Sequence, residues 1–229
     1  MHPPSGTENP EHAPAPPSLE RHQPVSEPEG SSPAFVGLTG GIAAGKSEAL
    51  GAFARLGAAT LSSDALVHEL LDDPDVRSQL VERWGEGILS NGSLDRRRIG
   101  AIVFERPEEL TWLESVLHPR VGERVLRWRH SLPAGARLAV VEVPLLFETG
   151  MDAAFDATVA VVAEDGKRAD RAGARGTELL DGRSNRQLSQ EEKAARATHV
   201  IRNDGSMEEL EAEVERLVPI LTGITRGAA

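Results

Sequence analysis

The chain alternates two kinds of hydrophobic pattern. Ala34 to Thr39, Leu138 to Val143 and Ala157 to Val162 are nearly unbroken apolar runs, the pattern of strands buried on both faces. Two shorter segments, Ala59 to Leu61 and Ala197 to Ile201, read as further strands. Between the runs, apolar residues recur at helical spacing, as Leu50, Phe53 and Ala54 do after the first. The spacing predicts a helix ending near Leu56, with Gly57 as its stop. It predicts helical segments from Ala65 to about His130, broken near Pro74, Gly85 to Gly92, Pro107 and Pro119. A charged helical stretch covers Gly166 to Arg196, and an amphipathic helix covers Met207 to Leu217. Strands alternating with helices imply an α/β fold, a parallel sheet of five strands flanked by helices. In open sheets of this kind, ligands bind beyond the carboxyl ends of the strands. Gly40 to Ser47, Asp64, Pro144 to Glu148 and Glu164 all fall there.

Composition changes the picture at the start of the chain. Residues 1–33 are rich in Pro, Glu, Ser and His, with Leu19 and Val25 almost their only apolar side chains. Such a segment buries too little surface to offset its ordering entropy, so a disordered Pro-rich tail is expected. It has neither the apolar core of a signal peptide nor the basic character of a transit peptide. The remaining stretch of about 185 residues is near the usual size of one domain, here 34–218, with 219–229 expected to be a flexible C-terminus. No apolar run approaches the ~20 residues that span a bilayer. With no cysteine, disulfides, thiolate metal sites and cysteine nucleophiles are excluded. A cytoplasmic protein with no membrane partner is expected.

The net charge of −11 argues against general nucleic-acid binding, which needs a basic footprint. Basic residues are instead concentrated locally, at Arg96 to Arg98, Arg120 to Arg129 and Lys167 to Arg186. That distribution suits a small polyanionic ligand.

The ligand is indicated by Gly40-Gly41-Ile42-Ala43-Ala44-Gly45-Lys46-Ser47, which spells G-x-x-x-x-G-K-S between the first predicted strand and the first predicted helix. Strand, glycine loop and helix are the context of a phosphate-binding P-loop. Glycines let the backbone approach a ligand with no Cβ in the way. Backbone N–H groups of Gly41, Ile42, Ala43, Ala44, Gly45, Lys46 and Ser47 then point inward as an anion nest. Lys46 would reach the β- and γ-phosphates of a nucleotide, and the Ser47 hydroxyl would ligate Mg²⁺.

A P-loop alone does not separate kinases from GTPases or motor ATPases. No Asn-Lys-x-Asp guanine-reading motif is present. A small-molecule kinase needs a carboxylate for the acceptor hydroxyl, an acceptor pocket and mobile arginines. Asp64, after the second strand, would orient or deprotonate that hydroxyl, cap a helix starting at Ala65, or do both. Lys167, Arg168, Arg171, Arg175, Arg183 and Arg186 lie within one stretch, with Arg168, Arg171 and Arg175 at helical spacing. They are either a solvated helix face or a lid that closes over ATP.

Several blocks then resemble the dephospho-CoA kinase family over Phe35 to Leu217. They are Val36 to Ile42 with Ala43 to Ser47, Asp64-Ala65, Leu94-Asp95-Arg96 with Ile102-Val103-Phe104, and Leu117-His118-Pro119-Arg120. Val143 to Glu148, Gln187 to Ser189, Glu191-Glu192-Lys193 and Val200 to Ser206 complete the set. The resemblance implies a P-loop kinase with a helical acceptor-binding insertion at 65–130 and a helical lid at 164–196. It implies ATP-dependent phosphorylation, with Mg²⁺, of the ribose 3′-hydroxyl of dephospho-coenzyme A. Asp64 would serve the hydroxyl, and Lys46 with Arg168, Arg171 and Arg175 would serve the phosphates. Arg96, His118, Pro144 and Leu145 would border the acceptor, and Asn203 the adenine. The Glu48 backbone N–H would meet the α-phosphate. His118, before a proline, is expected outside the helical region, where it also fits a turn. The resemblance departs at Ser62 and Ser63 in place of Asp-Ala, at Glu48 in place of Thr, and at Glu142 in place of Asp. A monomer is expected, with a homo-oligomer the open alternative.

Overall fold

The computed structural model describes residues 32–175 and 187–224. Among them, five parallel strands form one sheet: β1 (Ala34–Gly40), β2 (Ala59–Ser62), β5 (Leu138–Glu142), β6 (Ala157–Val162) and β7 (His199–Arg202). Their order is β2-β5-β1-β6-β7, so the strand that feeds the glycine loop is central. Its register is set on both sides, with Leu38 opposite Glu142 of β5 and Gly40 opposite Val161 of β6. A two-stranded hairpin, β3 (Leu89–Ser90) with β4 (Ser93–Leu94), lies apart from this sheet.

Side chains alternate across a strand, so each face of the sheet collects its own core. Val36 and Leu38 face one side, where Phe53 of α1 (Lys46–Arg55) and Leu210 and Val214 of α8 (Met207–Thr222) pack. Phe35, Ala139 and Val141 face the other, against a helical segment built between β2 and β5. That segment comprises α2 (Ser63–Leu71), α3 (Pro74–Trp84), α4 (Arg96–Glu105) and α5 (Pro107–His130). Its buried carboxylate, Glu109, is held by Arg83 Nε at 3.0 Å and by the Trp84 indole N–H at 2.7 Å. Beyond β6, α6 (Asp165–Arg175) and α7 (Gln190–Arg196) flank residues outside the described set. Lid candidates Arg183 and Arg186 fall among those residues, and the Arg175 side chain is likewise outside the described set.

Three expectations are corrected. The break at Pro119 does not occur, because α5 runs through it for 24 residues. An interior proline costs ~3 kcal/mol. Leu113, Val116, Leu117, Val121 and Val125 of the same helix are buried, and each contributes ~1.5–3 kcal/mol, so packing outweighs the local penalty. The Arg120 guanidinium also donates to the Val116 carbonyl one turn back, at 2.7 Å. His118 is therefore helical and exposed, not in a turn. The final helix does not stop at Leu217 but continues through Pro219 to Thr222, driven by fully buried Leu221; residues 219–222 are helix rather than a flexible end.

Candidate active site

The glycine loop leaves β1 at Gly40 and enters α1 at Lys46, with Gly45 as the cap in left-handed geometry, φ 100°. A Cβ on Gly45 would lie 1.9 Å from Asn203 Nδ2, so glycine is required there both by conformation and by space. Asn203, in the turn after β7, donates from Nδ2 to the Ala44 carbonyl at 2.9 Å. Its own N–H donates to the Val162 carbonyl at the end of β6, at 2.8 Å. The loop is thus tied to the far half of the sheet through one buried amide.

Lys46 folds back over the loop, donating to the carbonyls of Gly41 at 2.9 Å and Gly40 at 3.2 Å. Burial pushes its pKa down; Glu142 and Asp64 pull it up, while Lys193 and Arg168 push it down further. Those influences define the cluster around the loop. Glu142 ends β5, beside β1, and is buried. Burial raises its pKa, against the Ser62 hydroxyl and Lys46, and with the support of Asp64 and Glu48. Asp64 is exposed in the first turn of α2. The cap of that helix is Ser62, two residues before the expected position, so Asp64 is not the cap. Its carboxylate is left to act on the loop, in a first turn where the positive end of the helix dipole favours it.

The first part of the lid candidate rests on the loop. Arg168 Nε donates to the Ile42 carbonyl at 3.0 Å, and its Nη1 pairs with Asp165 at 2.9 Å. Arg171 Nη2 donates to the Asn203 carbonyl at 3.2 Å. A cavity of about 160 Å³ lies alongside, lined by Ala43, Gly45, Glu48, Arg171, Asn203 and Met207. Pro144 and Leu145 follow β5 and are half-buried, with the Pro144 carbonyl accepting from the Thr39 hydroxyl at 3.2 Å. Arg96 and His118 are exposed on α4 and α5 and are not among the groups acting on Lys46.

The donor set fits Mg²⁺ arriving with a nucleotide. Among the described residues, no group of three His, Cys, Asp or Glu side chains forms a metal cage. Mg²⁺ seldom uses such a cage; it takes one or two protein oxygens, phosphates and waters. Ser47, exposed in the first turn of α1, and Glu142, buried on the adjacent strand, are oxygen donors of that kind.

A family model described as dephospho-CoA kinase matches residues 34–209. The chain belongs to the dephospho-CoA kinase family. It is similar to dephospho-CoA kinases of Chlorobaculum tepidum, 36% identical across 81% of this chain and 93% of the relative, and of Deinococcus radiodurans, 37% identical across 80% and 90%. Among solved structures, one from Thermus thermophilus superposes with a TM-score of 0.72 at 34% identity, covering 83% of this chain and 99% of that one. A dephospho-CoA kinase from Campylobacter jejuni, at 22% identity and a TM-score of 0.60, shares the fold. Two residues central to the cluster in this family member, Glu142 and Lys193, are not among the expected site residues. Glu142 stands out in the sequence as a departure from the family pattern inside the apolar run Leu138 to Val143, and Lys193 only as part of a block that carries the resemblance. Nothing in the pattern signals that the Lys193 charge is buried.

Proposed function

We propose that the protein transfers the γ-phosphoryl group of ATP to the ribose 3′-hydroxyl of dephospho-coenzyme A, completing coenzyme A synthesis. The observation that carries this reading is the convergence of a glycine loop, Lys46, two carboxylates and two arginines at one end of the central strands. Phosphoryl transfer asks a protein mainly for positioning and charge stabilisation. Main-chain N–H groups from Gly41 to Glu48 hold the phosphates, and Lys46 moves from its loop carbonyls to them. Arg168 and Arg171, already at the loop, face the transferring group. Asp64 accepts the proton of the attacking hydroxyl or orients it. Mg²⁺ would be held by Ser47 and Glu142 and would neutralise developing phosphate charge.

In this reading, residues 65–130 form the acceptor-binding region, with Arg96, His118, Pro144 and Leu145 bordering it. Residues 164–196 form the lid, Arg175 included, and 1–33 are a tail outside the chemistry. Asn203 borders the nucleobase while holding the loop. The protein acts as a cytoplasmic monomer on small molecules. Among the described residues, no helix is long and apolar enough to cross a membrane. The test is ADP release with ATP, Mg²⁺ and dephospho-CoA, run beside AMP, CMP and nucleosides as acceptors. Turnover with dephospho-CoA well above a Lys46→Ala control is expected; none above that control, or preference for another acceptor, refutes the proposal.

A further inference from the structure

Lys193 has no role in the chemistry above, yet among the described residues it is the most completely buried charge, with 0% of its side chain exposed. Its Nζ donates to the Pro144 carbonyl at 2.6 Å, pairs with Glu148 Oε1 at 2.9 Å and reaches Thr39 Oγ1 at 3.5 Å. These acceptors come from separate parts of the fold. Thr39 is the penultimate residue of β1, directly before the glycine loop. Pro144 opens the turn after β5 that contains Leu145. Glu148, later in that turn, accepts the Leu188 N–H at 2.9 Å, in the segment that leads into α7. Lys193 itself is on α7. One ammonium group therefore joins the loop strand, the turn after β5 and α7.

Stability alone is a poor reason for this arrangement. Burying a lysine is unfavourable unless it is fully paired, and apolar side chains of similar volume often serve as well or better. Burial here lowers the Lys193 pKa against the opposing pull of Glu148. Glu148 Oε2 is buried with no hydrogen-bond partner among the described residues, so the pair is not fully satisfied. What the pair supplies that an apolar contact lacks is direction: it aims the Pro144 carbonyl, and with it the turn, at a fixed offset from the loop.

Resting on the phosphotransfer reading, we infer that Lys193 is a positioning residue. It sets the Pro144–Leu145 turn against the glycine loop and ties that turn to α7, so that the acceptor alcohol is aligned for transfer. Misplacement by about 1 Å costs ~10²-fold in rate, which sets the scale of the effect.

The test uses the full chain with Lys193→Met, Glu148→Gln and both together, each measured for Tm and for kcat and KM with ATP and dephospho-CoA. Lys193→Met strands the Glu148 charge, so its Tm falls; the double variant regains most of it. In both, kcat/KM for dephospho-CoA falls ~10–100-fold while KM for ATP stays within ~3-fold. A double variant with wild-type Tm and wild-type acceptor kinetics would make the pair a structural contact only and overturn the inference, as would equal loss toward both substrates. If Lys193→Met does not fold, Glu148→Gln decides: it keeps the bonds to Pro144 and Thr39 and is expected to raise the acceptor KM several-fold, an unchanged KM counting against the proposal. Wild-type turnover comes first. Without it the phosphotransfer reading fails and this inference with it; with it, only the variants bear on Lys193.

Discussion

Gly45 offers the sharpest quantitative test of how the phosphate loop is held. Replacing it with Ala has two separable costs. The first is conformational: at φ 100° and ψ 28° an L-residue is strained, by ~1–2 kcal/mol. The second is spatial: the new Cβ would stand 1.9 Å from Asn203 Nδ2, so the amide must leave. Its departure breaks the 2.9 Å bond to the Ala44 carbonyl and leaves buried polar groups unpaired, at ~1–3 kcal/mol. Together Gly45→Ala should destabilise the fold by ~2–5 kcal/mol. For a domain of this size each kcal/mol shifts Tm by ~2–4 °C, so a fall of roughly 4–20 °C is expected in calorimetry. Asn203→Ala alone removes the same hydrogen bond without the strain and should lower Tm less. The double variant separates the two costs. Once the amide is gone the added methyl meets no clash, and the lost bond is not counted twice, so the two substitutions should be less than additive by ~1–3 kcal/mol. ATP, which stabilises wild type by binding the folded state, should shift Tm of Gly45→Ala far less. Strict additivity, or a Gly45→Ala variant that melts and binds ATP like wild type, would refute the claim that Asn203 and the loop are one packed unit.

The carboxylates give two further expected outcomes. Asp64→Asn should lower kcat by ~10²-fold or more with little change in KM for ATP; an unchanged kcat would reduce Asp64 to a favourable charge in the first turn of α2. Glu142 is the opposite case from a paired surface acid. Burial raises its pKa in the folded state, so the folded protein holds this proton more tightly than the unfolded chain. Stability therefore falls as pH rises from the ordinary glutamate range through the raised pKa. Glu142→Gln should flatten that fall and raise Tm at pH 7 while lowering kcat; a lower Tm at pH 7 would show that the charge is stabilising after all.

The sheet and the loop are legible in the sequence because both rest on local pattern. Nearly unbroken apolar runs mark β1, β5 and β6, and the glycine spacing marks the loop between β1 and α1. The helix through Pro119 is not legible, since the local rule for proline is outweighed only by burial of Val116, Leu117 and Val121 against a surface remote in sequence. Asp64 is legible as a candidate from its place after β2, but its separation from the cap is not, because the cap passes to Ser62. Asn203 is expected beside the nucleobase; its bond to Ala44, 159 residues away, is a tertiary fact with no local signal. Lys193 reads as an ordinary charge in Glu191-Glu192-Lys193, where Glu191 and Glu192 are indeed exposed. Only the fold puts the third member in the interior.

The same distinction explains how a chain of net charge −11 can hold a polyphosphate. Charges on the surface are screened beyond ~8–10 Å at physiological salt, so the overall excess of acid is weakly felt at the loop. What acts there is the short-range set: Lys46, Lys193 and Arg168 against Glu142, Asp64 and Glu48. Lys46 satisfies loop carbonyls while Glu142 stays desolvated near two other carboxylates, and the opposite shifts of Lys46 and Glu142 both record an unfavourable local environment. In the proposed reading, this strain lies where charge changes during phosphoryl transfer. It is absent from Glu109, an acid in the helical segment whose carboxylate is stabilised by Arg83 and Trp84. A merely robust anion nest would have no use for a buried acid at position 142. The raised Glu142 pKa implies lower stability near neutral pH; under the proposed role of Glu142 in phosphoryl transfer, stability and kcat are expected to move in opposite directions in Glu142→Gln.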